Sequence, residues 1–380
     1  MSAIRSITIE GFRSFAALRD LPLRPLNVLI GANGSGKSNF LEALKLMELC
    51  VFSGPRVDEY VQRAGGANRL LHFGSKVTRQ VKFEARFGDD KGNFSILMHP
   101  DAEDRLFPLI TATGTDLLGE IESKPSKKWL LGILQDRLAN LETFHFHDTS
   151  PTSPIKKNAD LHDNLQLRHD GSNLAPFLYL LRERYAGAYD MIRRTVRLVA
   201  PFFEDFVLRP LALNEDKIRL DWRHTGSDAY FDASSLSDGS LRFMALATAL
   251  LQPTSLRPSV MVLDEPELGL HPYAVTLLAS MLKQASVDGQ IIVATQSPVL
   301  LDHFEPEDVL VADRVGGATT LRRLKCEKLS GWLEDYSLGQ LWEKNQFGGR
   351  PSPRGGLLRA PTGRRQGVAW AKDGIDRAVS

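Results

Sequence analysis

Residues 31–38 read G-A-N-G-S-G-K-S, the full pattern G-x-x-x-x-G-K-[ST]. No other feature constrains the fold as strongly, because each residue type in it has a mechanical task. Gly31, Gly34 and Gly36 let the backbone curl until its N–H groups converge on phosphate oxygens. Lys37 sets a fixed positive charge near the β- and γ-phosphates, and Ser38 offers a hydroxyl to Mg²⁺. Before the loop, Leu26, Val28, Leu29 and Ile30 form a short apolar run that suits a buried strand. After it, Phe40, Leu44, Met47 and Val51 recur at helical spacing. Strand, glycine loop and helix together set a helix N-terminus against a phosphate. The candidate triphosphate site is therefore Asn33, Gly34, Ser35, Gly36, Lys37, Ser38 and the following Asn39, and ATP with Mg²⁺ is the expected ligand pair.

A second acidic element completes such a site. Residues 260–265 are four apolar residues followed by Asp264 and Glu265. A buried strand ending in two carboxylates delivers them to the sheet edge where ligands bind in α/β folds. Asp264 is the candidate magnesium ligand. Glu265 is the candidate catalytic residue, accepting a proton from the attacking water or orienting it. Strands alternating with helices predict an α/β fold with a central, mostly parallel sheet.

The 380 residues suffice for two or three lobes of about 150 residues each. With a net charge of +1, any nucleic-acid-binding surface must be local. Two cysteines without C-x-x-C spacing give neither a metal site nor a disulfide framework, so a reducing, cytoplasmic setting is expected. No apolar run is long enough for a membrane span, and charged residues interrupt the first fifteen positions, so no secretory signal is read there.

Two hairpins are expected, one over residues 80–98 and one joining 206–213 to 217–222 through Asn214, Glu215 and Asp216. Residues 128–141 and 173–199 read as helical. Ser237 or Asp238 caps a helix starting near 239, with Leu241, Met244, Ala245 and Ala249 on its inner face. Further helix and strand patterns begin at Pro272 and Ile291. His145 and His147 sit at metal-ligand spacing on an alternating segment, but no further His or Cys cluster completes a set, so a structural role is favoured. Arg182, Arg184, Arg193, Arg194 and Arg197 form either a solvated helix face or a DNA-facing stripe.

Five runs carry a family resemblance. Leu236-Ser237-Asp238-Gly239 resembles the L-S-x-G signature of ABC-type ATPases. Residues 264–272, D-E-P-E-L-G-L-H-P, resemble the run of RecF, OLD and related predicted ATPases, a DNA-linked branch that includes the SMC proteins. Residues 291–298, I-I-V-A-T-Q-S-P, are similar to that family's switch strand, with Gln296 where histidine is usual. A glutamine amide still donates to a phosphate oxygen but cannot become cationic; Thr295 or Ser297 could share its role. Residues 11–15, G-F-R-S-F, resemble the family's opening run, and this makes Arg13 a candidate phosphate contact. Residues 336–342 resemble its closing segment.

The resemblance implies an ABC-type ATPase head with an antiparallel β subdomain and an inserted helical lid lobe. Its expected parts are residues 1–99 and 206–347 for the head, 100–205 for the insertion, and a basic disordered tail at 348–380. It implies an ATP-dependent head-to-tail homodimer in which Ser237 and Gly239 of one copy reach the ATP held by Lys37, Ser38, Asp264, Glu265 and Gln296 of the other. DNA and a separate effector or nuclease chain are the further partners implied. A transporter ATPase subunit is disfavoured by the long interval between Gly31 and Ser237. The family's Q-loop glutamine has one weak candidate, Gln135.

Overall fold

The computed structural model describes residues 3–52, 54–87, 93–113 and 141–349. A central six-stranded sheet runs in the spatial order Ala318–Arg323, Val309–Val315, Leu26–Ile30, Gln290–Thr295, Val260–Asp264, Leu141–Phe144. The last five pair in parallel, and Ala318–Arg323 is antiparallel to its neighbour. The inner strands are buried on both faces, as near-continuous apolar runs require.

Alternate residues of these strands feed two cores. Val28, Ile30, Met261, Leu263, Ile291 and Val293 enter one. Leu29, Val260, Val262, Ile292 and Ala294 enter the other. The second core is closed by a five-stranded antiparallel sheet, ordered Phe15–Pro22, Ile4–Phe12, Val81–Phe87, Asn93–Pro100, Leu106–Thr113. The helix Lys37–Phe52 contributes Phe40, Leu44 and Met47 to this core, the face its spacing predicts. The first core is covered by the helices Leu174–Arg184, Ala186–Val199, Asp238–Leu251 and Pro272–Asp288. The mostly parallel sheet with its antiparallel companion is the α/β head the sequence predicts.

Several local expectations change. Two described segments within 100–205 join the sheets of the head. Leu106–Thr113 extends the antiparallel sheet, and Leu141–Phe144 is an edge strand of the central sheet. The single helix expected over 173–199 breaks at Tyr185 (φ −135°, ψ 51°). The Tyr185 amide donates to the Leu181 carbonyl, while its own carbonyl accepts from Ala188 and Tyr189, so one residue ends one helix and starts the next. The expected hairpin over 206–222 feeds two small sheets instead. Phe203–Val207 pairs with Asp221–His224, and Pro210–Leu211 pairs with Asn214–Ile218. The turn expected at residues 214–216 is thus already strand. Residues 128–140 of the helix expected over 128–141, Gln135 among them, residues 88–92 within the hairpin and the tail from 350 onward lie outside the described residues, while Leu141 is strand.

Candidate nucleotide site

The register of the central sheet brings the separate motifs to one edge. Ile30 pairs with Thr295, Ala294 with Asp264, and Leu263 with Phe144. All four strands are parallel. The phosphate loop, the switch turn, the acidic loop and the segment 145–148 therefore leave the sheet at the same carboxyl end, the place where open α/β sheets take ligands.

The phosphate loop depends on backbone geometry. Gly34 (φ 77°) and Gly36 (φ 106°) occupy the left-handed region that favours glycine. A Cβ on Gly36 would also lie 2.1 Å from Thr319 Oγ1. Thr319, buried on the outer antiparallel strand, supports the loop from behind. Its hydroxyl oxygen lies 2.8 Å from the Ser35 carbonyl and 2.7 Å from Ser14 Oγ. Ser14 Oγ in turn accepts a hydrogen bond from Asn39 Nδ2 at 2.7 Å. Ala32 N–H donates to the Gly349 carbonyl at 2.6 Å, so a segment far along the chain closes over the loop's start. Asn33, Gly34 and Ser38 are exposed at the mouth.

Lys37 is buried, with Nζ donating to the Gly31 carbonyl at 2.6 Å. Burial lowers its pKa, and the carboxylates of Glu265, Asp264 and Glu267 pull it back up. That dependence places the ammonium within the field of all three acids. Arg13 has a left-handed backbone (φ 47°) and its guanidinium pairs with Glu42 at 2.5 Å, on the helix that follows the loop.

Asp264 ends its strand half-buried, its pKa raised by burial first and by Glu265 second, and held back by His147 and Lys37. Glu265 turns at once into the left-handed region (φ 40°), a strained conformation for a side-chain-bearing residue. Its amide donates to the Ala294 carbonyl at 2.7 Å, and its Oε1 accepts from Gln296 Nε2. Gln296 thus rests on Glu265 across the two neighbouring strand ends.

Ser237, and not Asp238, caps the signature helix: its Oγ accepts from the Ser240 amide at 3.2 Å. From Leu241 to Leu251 that helix is buried, so its first turn alone projects. Gly239 lies against the loop after Glu265, where a Cβ would come 2.6 Å from the Gly269 carbonyl. Ser237 and Gly239 therefore adjoin the acidic loop of their own chain with an exposed N-terminal turn.

Sequence reasoning missed the buried cation that binds these pieces together. Arg242 Nε donates to the Phe146 carbonyl and Nη2 to the His147 carbonyl, both at 3.0 Å, and Nη1 donates to the Leu268 carbonyl. A charge on an otherwise apolar helix face was its available signal. His147 lies close enough to bias Asp264, and its ring is 6.5 Å from that of His145. Glu267 and Thr319 were also unassigned. Glu267 was visible in the D-E-P-E run, whereas nothing local marked Thr319.

The donor set fits a magnesium–triphosphate. Ser38 and Asp264 present hard oxygen atoms of the kind Mg²⁺ takes. The loop amides and Lys37 supply the cationic cradle for phosphate.

A family model described as "AAA domain, putative AbiEii toxin, Type IV TA system" matches residues 26–302. The ATP-binding protein EcfA of an energy-coupling factor transporter from Methanosphaera stadtmanae is 25% identical over 245 residues, covering 61% of this chain and 84% of that protein. Among solved structures, an SMC head bound to the C-terminal winged-helix domain of ScpA superposes with a TM-score of 0.60 at 16% identity, covering 86% of this chain and 99% of that one. An SMC head with an extended coiled coil, bound to a ScpA domain derived from Pyrococcus furiosus, gives 0.59 at 16% identity, covering 88% and 99%. At these identities the structural likeness is one of fold.

Proposed function

This chain belongs to the AAA-domain family matched over residues 26–302, a RecF/SMC-like group of ABC-type P-loop ATPases, and from that membership we propose that it hydrolyses ATP within a head-to-tail homodimer. The observation that carries the proposal is the common sheet edge at which Ile30, Thr295 and Asp264 stand in register. Lys37 and the loop amides hold the phosphates, while Ser38 and Asp264 would hold Mg²⁺. The metal, when bound, offsets phosphate charge and polarises the γ-phosphoryl group. Glu265 orients the attacking water and accepts its proton, and Gln296 fixes the Glu265 carboxylate and donates toward phosphate.

Water attack on the γ-phosphorus forms one P–O bond and breaks the bond to the bridging oxygen, releasing ADP and phosphate. In this reading the exposed turn at Ser237 and Gly239 serves a second copy's ATP, using a helix N-terminus as the anion site. Arg13 contributes to phosphate binding by leaving Glu42 for the nucleotide. ATP then joins two copies, and hydrolysis releases them.

The process served is DNA-linked, a reading supported by the resemblance to RecF and SMC proteins. A second reading, an ATP-driven regulator of a separate effector chain, draws on two observations. The arginine stripe is partly neutralised, since Arg182 pairs with Glu183 and Arg193 with Asp190 and Asp205. One SMC head of like fold is bound to a partner domain.

Glu265→Gln is expected to bind ATP, lose turnover and accumulate as a dimer. A variant that remains monomeric by light scattering at saturating ATP would sink the dimer reading. Stimulation of wild-type turnover by duplex or single-stranded DNA, weakening with salt, supports the DNA role; a flat response favours the effector reading.

A further inference from the structure

The mechanism above leaves Glu267 unused, although it lies two residues beyond Glu265 in the same loop. Its Oε1 accepts a hydrogen bond from Thr295 Oγ1, while its Oε2 is buried and has no hydrogen-bond partner among the described residues. Burial raises its pKa and Glu265 adds to the rise, while hydrogen bonds from Thr295, from its own backbone amide and, last, from the Gln296 amide oppose it.

Thr295 is fully buried and ends the switch strand. Its hydroxyl oxygen also accepts the Ser297 N–H at 2.9 Å. The hydroxyl proton is thereby directed to Glu267 while the oxygen holds the start of the next turn. Ser297 in turn caps the helix Pro298–Leu301, its Oγ accepting from the Leu300 amide at 3.1 Å. The switch turn thus hangs from Glu267 chiefly through the Thr295 hydroxyl, with the Gln296 backbone amide as a second tie.

Gln296, the next residue, donates to Glu265. The acidic loop and the switch turn are therefore joined at two adjacent points, Glu267 to Thr295 and Glu265 to Gln296. A glutamine side chain has three rotatable bonds, and fixing them costs about 1–2 kcal/mol of entropy. With the backbone beneath it already held, less of that cost falls on the Gln296–Glu265 contact.

We propose that Glu267 is a positioning residue that latches the switch turn through Thr295, so that the Gln296 amide keeps the Glu265 carboxylate aimed for water attack. The proposal rests on the reading of Glu265 as the water-orienting residue. It also accounts for a neutral glutamine serving at a position where relatives use histidine: a pre-set backbone replaces the aid of a charge. The latch needs an acceptor oxygen at Glu267 and a hydroxyl at Thr295; it does not need an ionisable group.

The test is steady-state ATP turnover on the full chain with Glu267→Ala, Glu267→Gln, Thr295→Val, Thr295→Ser and the Glu267→Ala/Thr295→Val double variant. Glu267→Ala and Thr295→Val are each expected to lower kcat about tenfold while KM for ATP moves less than about twofold. The double variant should lose less than the two single losses combined, because each of them already removes the Glu267–Thr295 bond. Glu267→Gln and Thr295→Ser keep the acceptor and the hydroxyl, and both should retain wild-type kcat and pH profile within about twofold.

A Glu267→Gln variant as impaired as Glu267→Ala would overturn the latch and show that the charge itself is needed. Additive losses in the double variant would overturn it too. Should Glu267→Ala fail to fold, Thr295→Val against Thr295→Ser decides alone: equal rates refute the latch. Absence of ATP turnover in the wild type, or full turnover in Glu265→Gln, would instead reject the proposed function on which it rests.

Discussion

The phosphate loop and the acidic edge face one ligand space and are supported in different ways. The loop is shaped by glycine conformations and by hydroxyls and carbonyls behind it: Thr319, Ser14 and the Gly349 carbonyl. The acidic edge is shaped by side chains from separate strands and helices, namely Gln296 on Glu265, Thr295 on Glu267 and Arg242 under Leu268. Glycine conformations set much of the loop, so the loss of one support behind it costs less. An edge made by distant side chains moves when any of them moves.

Variants can break or sharpen this contrast, and the largest effect belongs to the loop. Lys37→Ala removes the buried ammonium and is expected to reduce ATP turnover to background while leaving the fold intact; unchanged hydrolysis by the purified variant would refute the site. Next is Arg242→Leu, which strips the hydrogen bonds from the carbonyls of Phe146, His147 and Leu268. A stability loss of about 2–4 kcal/mol in urea unfolding is expected, with Asp264 and Glu265 no longer fixed. Near-neutral stability would show that the edge does not depend on this cation.

Thr319→Val is predicted to cost less, about 1 kcal/mol, because it removes one hydroxyl behind a loop otherwise set by glycines. A loss as large as that of Arg242→Leu would erase the distinction drawn here. A further effect, of pH, lies outside the site. Burial, with Glu48 adding to it and Lys45 opposing it, raises Glu142 from its ordinary 4.5 to about 7. The native state then holds this proton more tightly than the unfolded chain, so stability falls as pH rises from about 4.5 to about 7. Glu142→Gln should flatten that decline, read as melting temperature at pH 5 and at pH 8. An unaltered slope would mean that Glu142 is not its source.

The same contrast decides what could be read before the fold was known. The phosphate loop, Asp264, Glu265 and the capped helix at Ser237 are local patterns, each carried by a few consecutive residues, and the sheet register then brought them together. Arg242 and Thr319 act through partners many residues away, on carbonyls that have no sequence signature. The place of residues 141–144 in the central sheet was hidden for a related reason. The short strand Leu141–Phe144 finds its partner in Val260–Asp264, and its four residues alone do not announce that pairing. The break at Tyr185 interrupts a helical pattern that continues on both sides, so apolar spacing could not reveal it.

The place of the phosphate-loop strand in the sheet has a consequence for how the protein is made. Leu26–Ile30 leaves the ribosome well before its two sheet neighbours, Gln290–Thr295 and Val309–Val315. Pairings of such long range are slow to close and leave apolar strands uncovered meanwhile. Until those partners are made, the nascent chain carries a complete phosphate-binding motif without its two sheet neighbours. The sheet that seats the phosphate loop is complete only once the strand at 309–315 has been delivered.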